Sequence, residues 1–281
     1  MIKVNSQPIT KFFYGEYNDT SLFYTEKVAS RYIGGMLDLN NNHNIELSTE
    51  DFNLFIGDSN NSYTFDFLKN KIKNNTILFY RNPFNKLLSG LGQDLFIFLY
   101  KEPQNHYELH HYSLFWEIFD SKIEKDIFLN YIQKFDIENI NYTFIYSEIL
   151  NDYLTIDSYK ISDIFKKICT AWIKYFVEYF PINYNHSSFW CYSVNEFMDL
   201  LKNEDTKILL CDIDKCNTDT ISSLFNRKND SNPETSNILV KNIFLDIIKK
   251  DDRLLSKIEI LLRLENFYYN KLTRLQNNII N

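Results

Sequence analysis

Cysteine, glycine and proline are scarce in this sequence. Only 4 Cys, 6 Gly and 5 Pro occur in 281 residues, and four cysteines do not form a disulfide framework in a chain of this length. A zinc site built from His186, Cys191, Cys211 and Cys216 would lack the closely spaced cysteine pair of structural zinc sites. We therefore predict no metal site, and we expect these three cysteines and Cys169 to be buried thiols.

Long hydrophobic runs and an excess of basic residues are also lacking. The run Leu95–Tyr100 is far too short to cross a membrane, and Ala171–Phe180 is interrupted by Lys174 and Glu178. The first residues, Met1–Pro8, are polar and do not resemble a signal peptide. We therefore expect a cytoplasmic protein without a membrane span. The net charge of −7 argues against a nucleic-acid partner, because a phosphate backbone requires a basic surface, but it permits a nucleotide pocket.

The composition is that of a globular protein, with 44% hydrophobic and 24% charged residues. The order of strands and helices predicts a single α/β domain over residues 1–281, with a short parallel sheet flanked by helices and a helix-rich C-terminal part. The predicted strands are Lys11–Tyr14, Phe52–Ile56, Thr76–Tyr80, Tyr142–Tyr146 and Lys207–Cys211. The predicted helices are Thr20–Tyr32, Phe84–Tyr100, Ser113–Phe119, Lys125–Phe135, Tyr159–Phe180, Ile221–Phe225, Asn237–Lys249, Asp251–Leu262 and Glu265–Asn277.

The third predicted strand runs directly into a helix through a short polar segment. Arg81 lies at the carboxyl end of the strand, where open α/β sheets bind their ligands. Asn82 is a favourable N-cap residue, and Pro83 suits the first helical position because its missing N–H has no helical partner there. Lys86 and Ser89 follow Asn82 at helical spacing, so we expect the three residues to share one face of the helix. An anion bound there would meet a guanidinium, a hydroxyl and an ammonium group.

This segment resembles the 3′-phosphate signature of the sulfotransferases that use 3′-phosphoadenosine 5′-phosphosulfate. The match is closest to their carbohydrate-modifying branch. The resemblance implies a P-loop-like sulfotransferase fold, in which Arg81 and Ser89 hold the 3′-phosphate of the nucleotide with Lys86 nearby. It also implies the activity, which is transfer of a sulfuryl group from that donor to a hydroxyl acceptor, and a glycan is the expected acceptor.

The same family binds the 5′-phosphosulfate in a loop between its first strand and first helix. The corresponding stretch here is Gly15–Leu22, in which Thr20 and Ser21 match the hydroxyl pair of the family loop. The stretch departs from the pattern at Glu16, which stands where the family has a lysine. Asp19 stands where a small residue is expected, and we predict it to be the N-cap of the following helix.

Two later stretches also resemble the family. The strand that carries an acidic turn is matched by Lys207–Asp214, and Tyr142–Asp152 fits the same place, so both alternatives stay open. The stretch Glu265–Leu272 resembles the closing helix of the family. These matches follow the family order along the chain.

Sulfuryl transfer requires a base near the acceptor hydroxyl, which in this family is a histidine or a carboxylate. The candidates are His186, from a motif-like setting, and His111, which is adjacent to His110. Two functions stay open. In the first, the chain is a sulfotransferase in which Lys86 or Arg31 replaces the missing lysine. In the second, it is a catalytically silent relative that binds a nucleotide or a partner. A P-loop kinase fits poorly, since no Gly-x-x-x-x-Gly-Lys-Ser/Thr stretch occurs.

Overall fold

A computed structural model describes residues 11–17, 19–25, 45–48, 75–100, 103, 106–135, 142–151, 155–156, 159–179, 207–215 and 238–279. The chain divides into two compact units, each built from separate stretches of sequence. The first unit comprises residues 1–86, 185–234 and 261–281, and the second comprises residues 87–184 and 235–260. The single domain over residues 1–281 stays a prediction.

The described elements are eight helices and seven strands, in a mainly helical α/β arrangement. In chain order they are β1 Lys11–Tyr17, β2 Thr20–Thr25, β3 Ile45–Ser48, β4 Asn75–Tyr80, α1 Pro83–Tyr100, α2 His106–Phe119, α3 Lys122–Ile132, α4 Tyr142–Asn151, β5 Thr155–Ile156, β6 Tyr159–Lys160, α5 Ile161–Tyr179, β7 Lys207–Asp212, α6 Ile238–Lys249, α7 Asp252–Leu261 and α8 Arg263–Ile279.

The first unit contains a five-stranded mixed sheet in the order β3-β1-β2-β4-β7. Strand β1 is antiparallel to both of its neighbours, whereas β2, β4 and β7 are parallel to one another. In β4 all residues from Thr76 to Tyr80 are buried, as is typical of a central parallel strand covered on both faces. Helix α8 packs against β7. The predicted short parallel sheet flanked by helices is therefore confirmed as a three-stranded parallel section.

The chain between Lys11 and Thr25 forms a β-hairpin and not a strand followed by a helix. Tyr17 pairs with Thr20, so two residues connect β1 to β2, which is the shortest common hairpin connection. The predicted strand from Lys11 is confirmed, but the helix predicted from Thr20 is wrong. Asp19 lies in the hairpin turn and is not the N-cap of a helix.

Helix α5 is the centre of the second unit. It packs against α2, α3, α4 and α6, and the two-residue strands β5 and β6 form a small antiparallel ribbon beside its start. Eleven of its nineteen residues are buried, which is expected of a helix surrounded by other helices. Trp172, near its middle, is 1% exposed and donates a hydrogen bond from Nε1 to the carbonyl oxygen of Leu91 at 3.1 Å.

Most of the other predicted elements lie within the described residues. The predicted strand Tyr142–Tyr146 is wrong, because this stretch opens helix α4, and the alternative that places an acidic turn at the end of β7 is the one that the sheet supports. The remaining strand and helix predictions in the described ranges are confirmed, with ends shifted by some residues. Phe52–Ile56 and Ile221–Phe225 lie outside those ranges.

Two of the four cysteines, Cys169 and Cys211, are buried, as expected. Burial raises the pKa of the Cys169 thiol well above its ordinary value. Cys191 and Cys216 lie outside the described residues. Among the helices described here, none combines the length and the apolar character needed to span a bilayer.

Candidate functional site

Arg81 follows β4 at the carboxyl edge of the parallel strands. At this edge Tyr80 is paired with Asp212, the last residue of β7. The Nε atom of Arg81 donates to a carboxylate oxygen of Asp214 at 2.9 Å. The other oxygen of the same carboxylate accepts the backbone N–H of Asn82 at 3.0 Å. The Asp214 carboxylate thus binds both the Arg81 guanidinium and the backbone N–H of Asn82. The Arg81 side chain is 17% exposed.

Asn82 caps helix α1 as its sequence predicts. Its side-chain Oδ1 accepts the backbone N–H groups of Phe84 at 3.0 Å and Asn85 at 3.3 Å. Its carbonyl oxygen accepts the N–H of Lys86 at 2.9 Å, which is the first helical hydrogen bond. Pro83 occupies the first helical position. The strand, the arginine and the capped helix start therefore have the geometry that the sequence motif predicts.

Asp212 organises the turn that presents Asp214. Its side chain is completely buried. One of its carboxylate oxygens accepts the backbone N–H of Asp214 at 3.1 Å, and the other accepts the hydroxyl of Tyr269 at 2.8 Å. The ammonium of Lys215 lies 3.5 Å from the second oxygen. A hydrogen-bonded chain therefore runs from helix α8 through Asp212 and Asp214 to Arg81.

Two tyrosine rings lie beside this buried carboxylate. The centroids of Tyr80 and Tyr269 are 5.7 Å apart. Burial, together with the hydrogen bond and the charge of Asp212, raises the pKa of Tyr269 to about 12. Burial also raises the pKa of Tyr80, and the nearby charge of the Asp212 carboxylate raises it further. Both hydroxyls therefore keep their protons at neutral pH, and Tyr269 can act as the donor in its bond to Asp212.

The other residues of the predicted 3′-phosphate site lie on helix α1. Lys86 and Ser89 are one turn apart, and both are buried. The compact units divide directly after Lys86, so Ser89 belongs to the second unit while Arg81 belongs to the first. A shared contact of Arg81 and Ser89 with one phosphate stays a prediction.

Thr20 and Ser21 are not placed beside Arg81. Both lie at the amino end of β2, where Thr20 is paired with Asn75 and Ser21 with Thr76. Arg81 comes five residues after Thr76, which corresponds to roughly 16 Å along a strand. Ser21 is completely buried. The structure therefore corrects the predicted phosphosulfate loop. Thr20 and Ser21 lie in strand β2, at the amino edge of the parallel strands, whereas Arg81 lies at their carboxyl edge.

The side chain of Glu16 is not among those that the structure describes, although its backbone pairs with Ser21 in the hairpin. We therefore draw nothing from the direction of the Glu16 carboxylate. The hairpin places Glu16 in strand β1 and not in the predicted loop.

The carboxyl end of β2 lies at a different edge of the sheet from Thr20 and Ser21. Strand β2 ends at Thr25, and its parallel pairing with β4 puts that end at the same edge as Arg81. The next residues in the sequence are Glu26-Lys27-Val28-Ala29-Ser30-Arg31, which lie outside the described residues. A lysine, a small residue and a hydroxyl thus follow β2 in the sequence. Recognising the hairpin from its two-residue Asn-Asp connection would have placed the carboxyl end of β2 near Thr25.

The two histidine candidates differ in what the structure records. His186 lies outside the described residues. His111 lies on α2, where its Nδ1 atom is 2.7 Å from the hydroxyl oxygen of Tyr175 on α5. Burial lowers the pKa of His111, and the neighbouring His110 lowers it further. A neutral ring can accept a hydrogen bond from the Tyr175 hydroxyl at Nδ1, whereas a protonated ring can only donate one there. A role of His111 as the base stays a prediction.

The lowered pKa of His111 makes the stability of the protein dependent on pH. Because the pKa is below its ordinary value of 6.5 in the folded state, the unfolded chain binds more protons between the two values. Stability should therefore fall as the pH decreases through 6.5 toward the lowered pKa of the folded state. We expect urea unfolding followed by circular dichroism to show a smaller fall for His111→Gln.

The matched control for this prediction is His106→Gln, which removes an exposed histidine from the same helix. This control should keep the pH dependence of the wild type. An identical pH dependence in the wild type and His111→Gln would contradict the prediction.

Within the described ranges, no group of three or more His, Cys, Asp or Glu side chains has a geometry that could hold a metal ion. Comparisons with protein-family models, with curated proteins and with solved structures found no match to this chain.

Proposed function

We propose that this protein is a sulfotransferase that moves a sulfuryl group from 3′-phosphoadenosine 5′-phosphosulfate to a hydroxyl acceptor, in a P-loop-like sulfotransferase fold. The observation that carries the proposal is the position of Arg81. It lies at the carboxyl edge of three parallel strands and directly precedes a helix that starts with proline and is capped by Asn82. Ligands of open α/β sheets bind at this edge, and helix amino termini favour anions.

The chemistry of this edge suits a phosphate group. A guanidinium can bind phosphate oxygens through two parallel hydrogen bonds, and it keeps its charge at every physiological pH. The helix that begins at Pro83 adds the positive end of its dipole. We assign Arg81 to the 3′-phosphate of the nucleotide, with Lys86 and Ser89 following from the resemblance to the sulfotransferase motif.

For the phosphosulfate end we replace Thr20 and Ser21 by Lys27 and Ser30. These residues follow β2 in the sequence, and β2 ends at the same edge of the sheet as β4. A lysine there would neutralise the charge that develops on the 5′-phosphate when the sulfuryl group leaves.

The proposed reaction makes one bond and breaks one. The acceptor oxygen forms a bond to sulfur as the bond between sulfur and the 5′-phosphate oxygen breaks, which releases 3′,5′-adenosine bisphosphate. The proton of the acceptor hydroxyl passes to a base, for which His186 is the candidate that the sequence motif suggests. A carbohydrate is the proposed acceptor, on the basis of the resemblance to the carbohydrate-modifying branch.

The test compares two nucleotides that differ only in the 3′-phosphate. Calorimetric titration should show tighter binding of 3′,5′-adenosine bisphosphate than of adenosine 5′-monophosphate to the wild type. Arg81→Ala should lose roughly 10- to 100-fold in affinity for the bisphosphate, because it removes a charged hydrogen-bond donor, while its affinity for the monophosphate changes little. Arg81→Lys should fall between the two, since it keeps the charge but loses the planar fork.

Arg263→Ala serves as the control, because it removes an exposed arginine from the start of α8 in the same unit. Its affinity for both nucleotides should match that of the wild type. Equal affinity of the wild type for the two nucleotides, or no binding of either at millimolar concentration, would contradict the proposed function. Binding without transfer from a radiolabelled donor to any carbohydrate tested would favour the catalytically silent nucleotide-binding relative.

A further inference from the structure

The acidic turn after β7 suggests how Arg81 is held in position. A free arginine side chain has many rotamers, and ordering it when a ligand binds costs free energy. Here Nε is bound by Asp214, which orients the plane of the guanidinium before any ligand arrives. The same carboxylate binds the backbone N–H of Asn82, so it also fixes the main chain between the strand and the helix.

Asp214 is itself rigidly placed. The backbone N–H of Ile213 donates to the carbonyl oxygen of Tyr80 at 2.9 Å, which continues the pairing of β7 with β4 by one residue. The N–H of Asp214 is bound by the buried carboxylate of Asp212. The N–H of Lys215 donates to the carbonyl oxygen of Asp212 at 3.0 Å, which closes a tight turn. The turn therefore fixes the position of the Asp214 carboxylate.

We infer that Asp214 is a positioning residue for nucleotide binding, which orients the Arg81 guanidinium and the start of α1 toward the 3′-phosphate. The inference rests on the proposed function. A carboxylate near a phosphate also repels it, so the opposite role is physically possible: Asp214 could compete with the nucleotide for Arg81. The two roles predict opposite signs, because removing a positioning carboxylate weakens binding and removing a competitor strengthens it.

The experiment measures how much the 3′-phosphate contributes to affinity, as the ratio of the dissociation constants of adenosine 5′-monophosphate and 3′,5′-adenosine bisphosphate. We expect Asp214→Ala to lower this ratio about tenfold, because an orienting hydrogen bond is lost. Asp214→Asn, which keeps one acceptor oxygen, should lower it less. Because Asp214 acts partly through Arg81, adding Asp214→Ala to Arg81→Ala should cause a smaller loss than Asp214→Ala causes in the wild type.

Asp246→Ala is the matched control, since it removes an exposed carboxylate of helix α6 that is paired with Lys250. Its ratio should equal that of the wild type, and thermal unfolding of each variant checks that it is folded. An unchanged or higher ratio in Asp214→Ala overturns the inference while leaving the proposed function intact. Equal weakening of both nucleotides also overturns it, because that result indicates a purely structural role. If the wild type shows no 3′-phosphate contribution, the proposed function fails and this inference fails with it.

Discussion

Trp172→Ala is expected to lower the free energy of unfolding by about 3–5 kcal/mol, as is typical when a buried tryptophan is truncated to alanine. Trp172 is 1% exposed and lies near the middle of α5, the helix against which α2, α3, α4 and α6 pack. Its ring lies close to those of Phe98, Phe115 and Tyr175, at centroid distances of 5.0, 5.7 and 5.5 Å. Truncation would leave a cavity among these rings.

The substitution also removes a buried hydrogen-bond donor. The Nε1–H group of Trp172 donates to the carbonyl oxygen of Leu91, and this oxygen would lose that partner. The cost should be measured by urea unfolding followed by far-ultraviolet circular dichroism, because tryptophan fluorescence changes with the substitution itself.

Phe144→Ala provides the comparison, since it truncates an aromatic ring of the same unit that is 51% exposed. This variant should lose less than about 1 kcal/mol, because surface substitutions away from special contacts cost little. A loss of under about 1 kcal/mol for Trp172→Ala would show that the core around α5 is not packed as the structure describes.

The elements that the sequence predicts correctly are those in which local pattern and tertiary environment agree. Strand β4 is rich in β-branched and aromatic residues and ends at an Asn-Pro helix start, and its burial on both faces suits the same residues. Helix α5 has a strongly periodic apolar pattern over nineteen residues. Both are long or sharply bounded, so few alternatives compete with them.

The errors arise where local preference and tertiary packing disagree, or where a motif is fitted in the wrong place. The stretch Tyr142–Tyr146 has high strand propensity, yet Ile145, Tyr146 and Ile149 are buried at helical spacing in α4, which packs against α5. Tertiary packing overrides propensity there. In Thr20–Thr25 the residues have a high propensity for strand and do form strand β2, so the helix predicted there opposed the local preference.

The candidate site shows the same division between local and distant information. Arg81 and the Asn82 cap follow from neighbouring residues, so the sequence predicts them. The contact of Arg81 with Asp214 spans 133 positions of the sequence. It depends on β7 pairing with β4, which no local pattern specifies. The position of Thr20 and Ser21 at the amino end of β2, far from Arg81, depends on strand pairing in the same way.

Asp212→Ala is expected to lower the free energy of unfolding by about 2–4 kcal/mol, because the hydroxyl of Tyr269 and the backbone N–H of Asp214 both lose their acceptor. The Asp212 side chain is completely buried. Asp212→Asn should cost less, since its amide oxygen can still accept one of the two hydrogen bonds. Lys215→Ala removes only a half-exposed cation near the same carboxylate, so it should cost less than about 1 kcal/mol.

The ionisation of Tyr269 gives a second readout that a general loss of stability would not change. Its pKa of about 12 is due first to burial and then to the hydrogen bond and charge of Asp212. In Asp212→Ala the pKa should fall part of the way toward 10.0, the ordinary value for tyrosine. Since the pKa is raised by folding, Tyr269 contributes stability that is present below about pH 10 and is lost as the pH rises toward 12. Asp212→Ala should reduce this alkaline loss.

Ultraviolet difference absorbance of tyrosinate measures this titration directly. Comparison with Tyr269→Phe identifies the step that belongs to Tyr269, because Tyr80 and Tyr100 also have raised pKa values and would otherwise overlap with it. If the Tyr269 step stays at the same pH after Asp212→Ala, Asp212 does not accept its hydroxyl. The hydrogen-bonded chain from α8 to Arg81 would then be broken at its first link, and the rigid placement of Asp214 would have to come from the pairing of β7 with β4 alone.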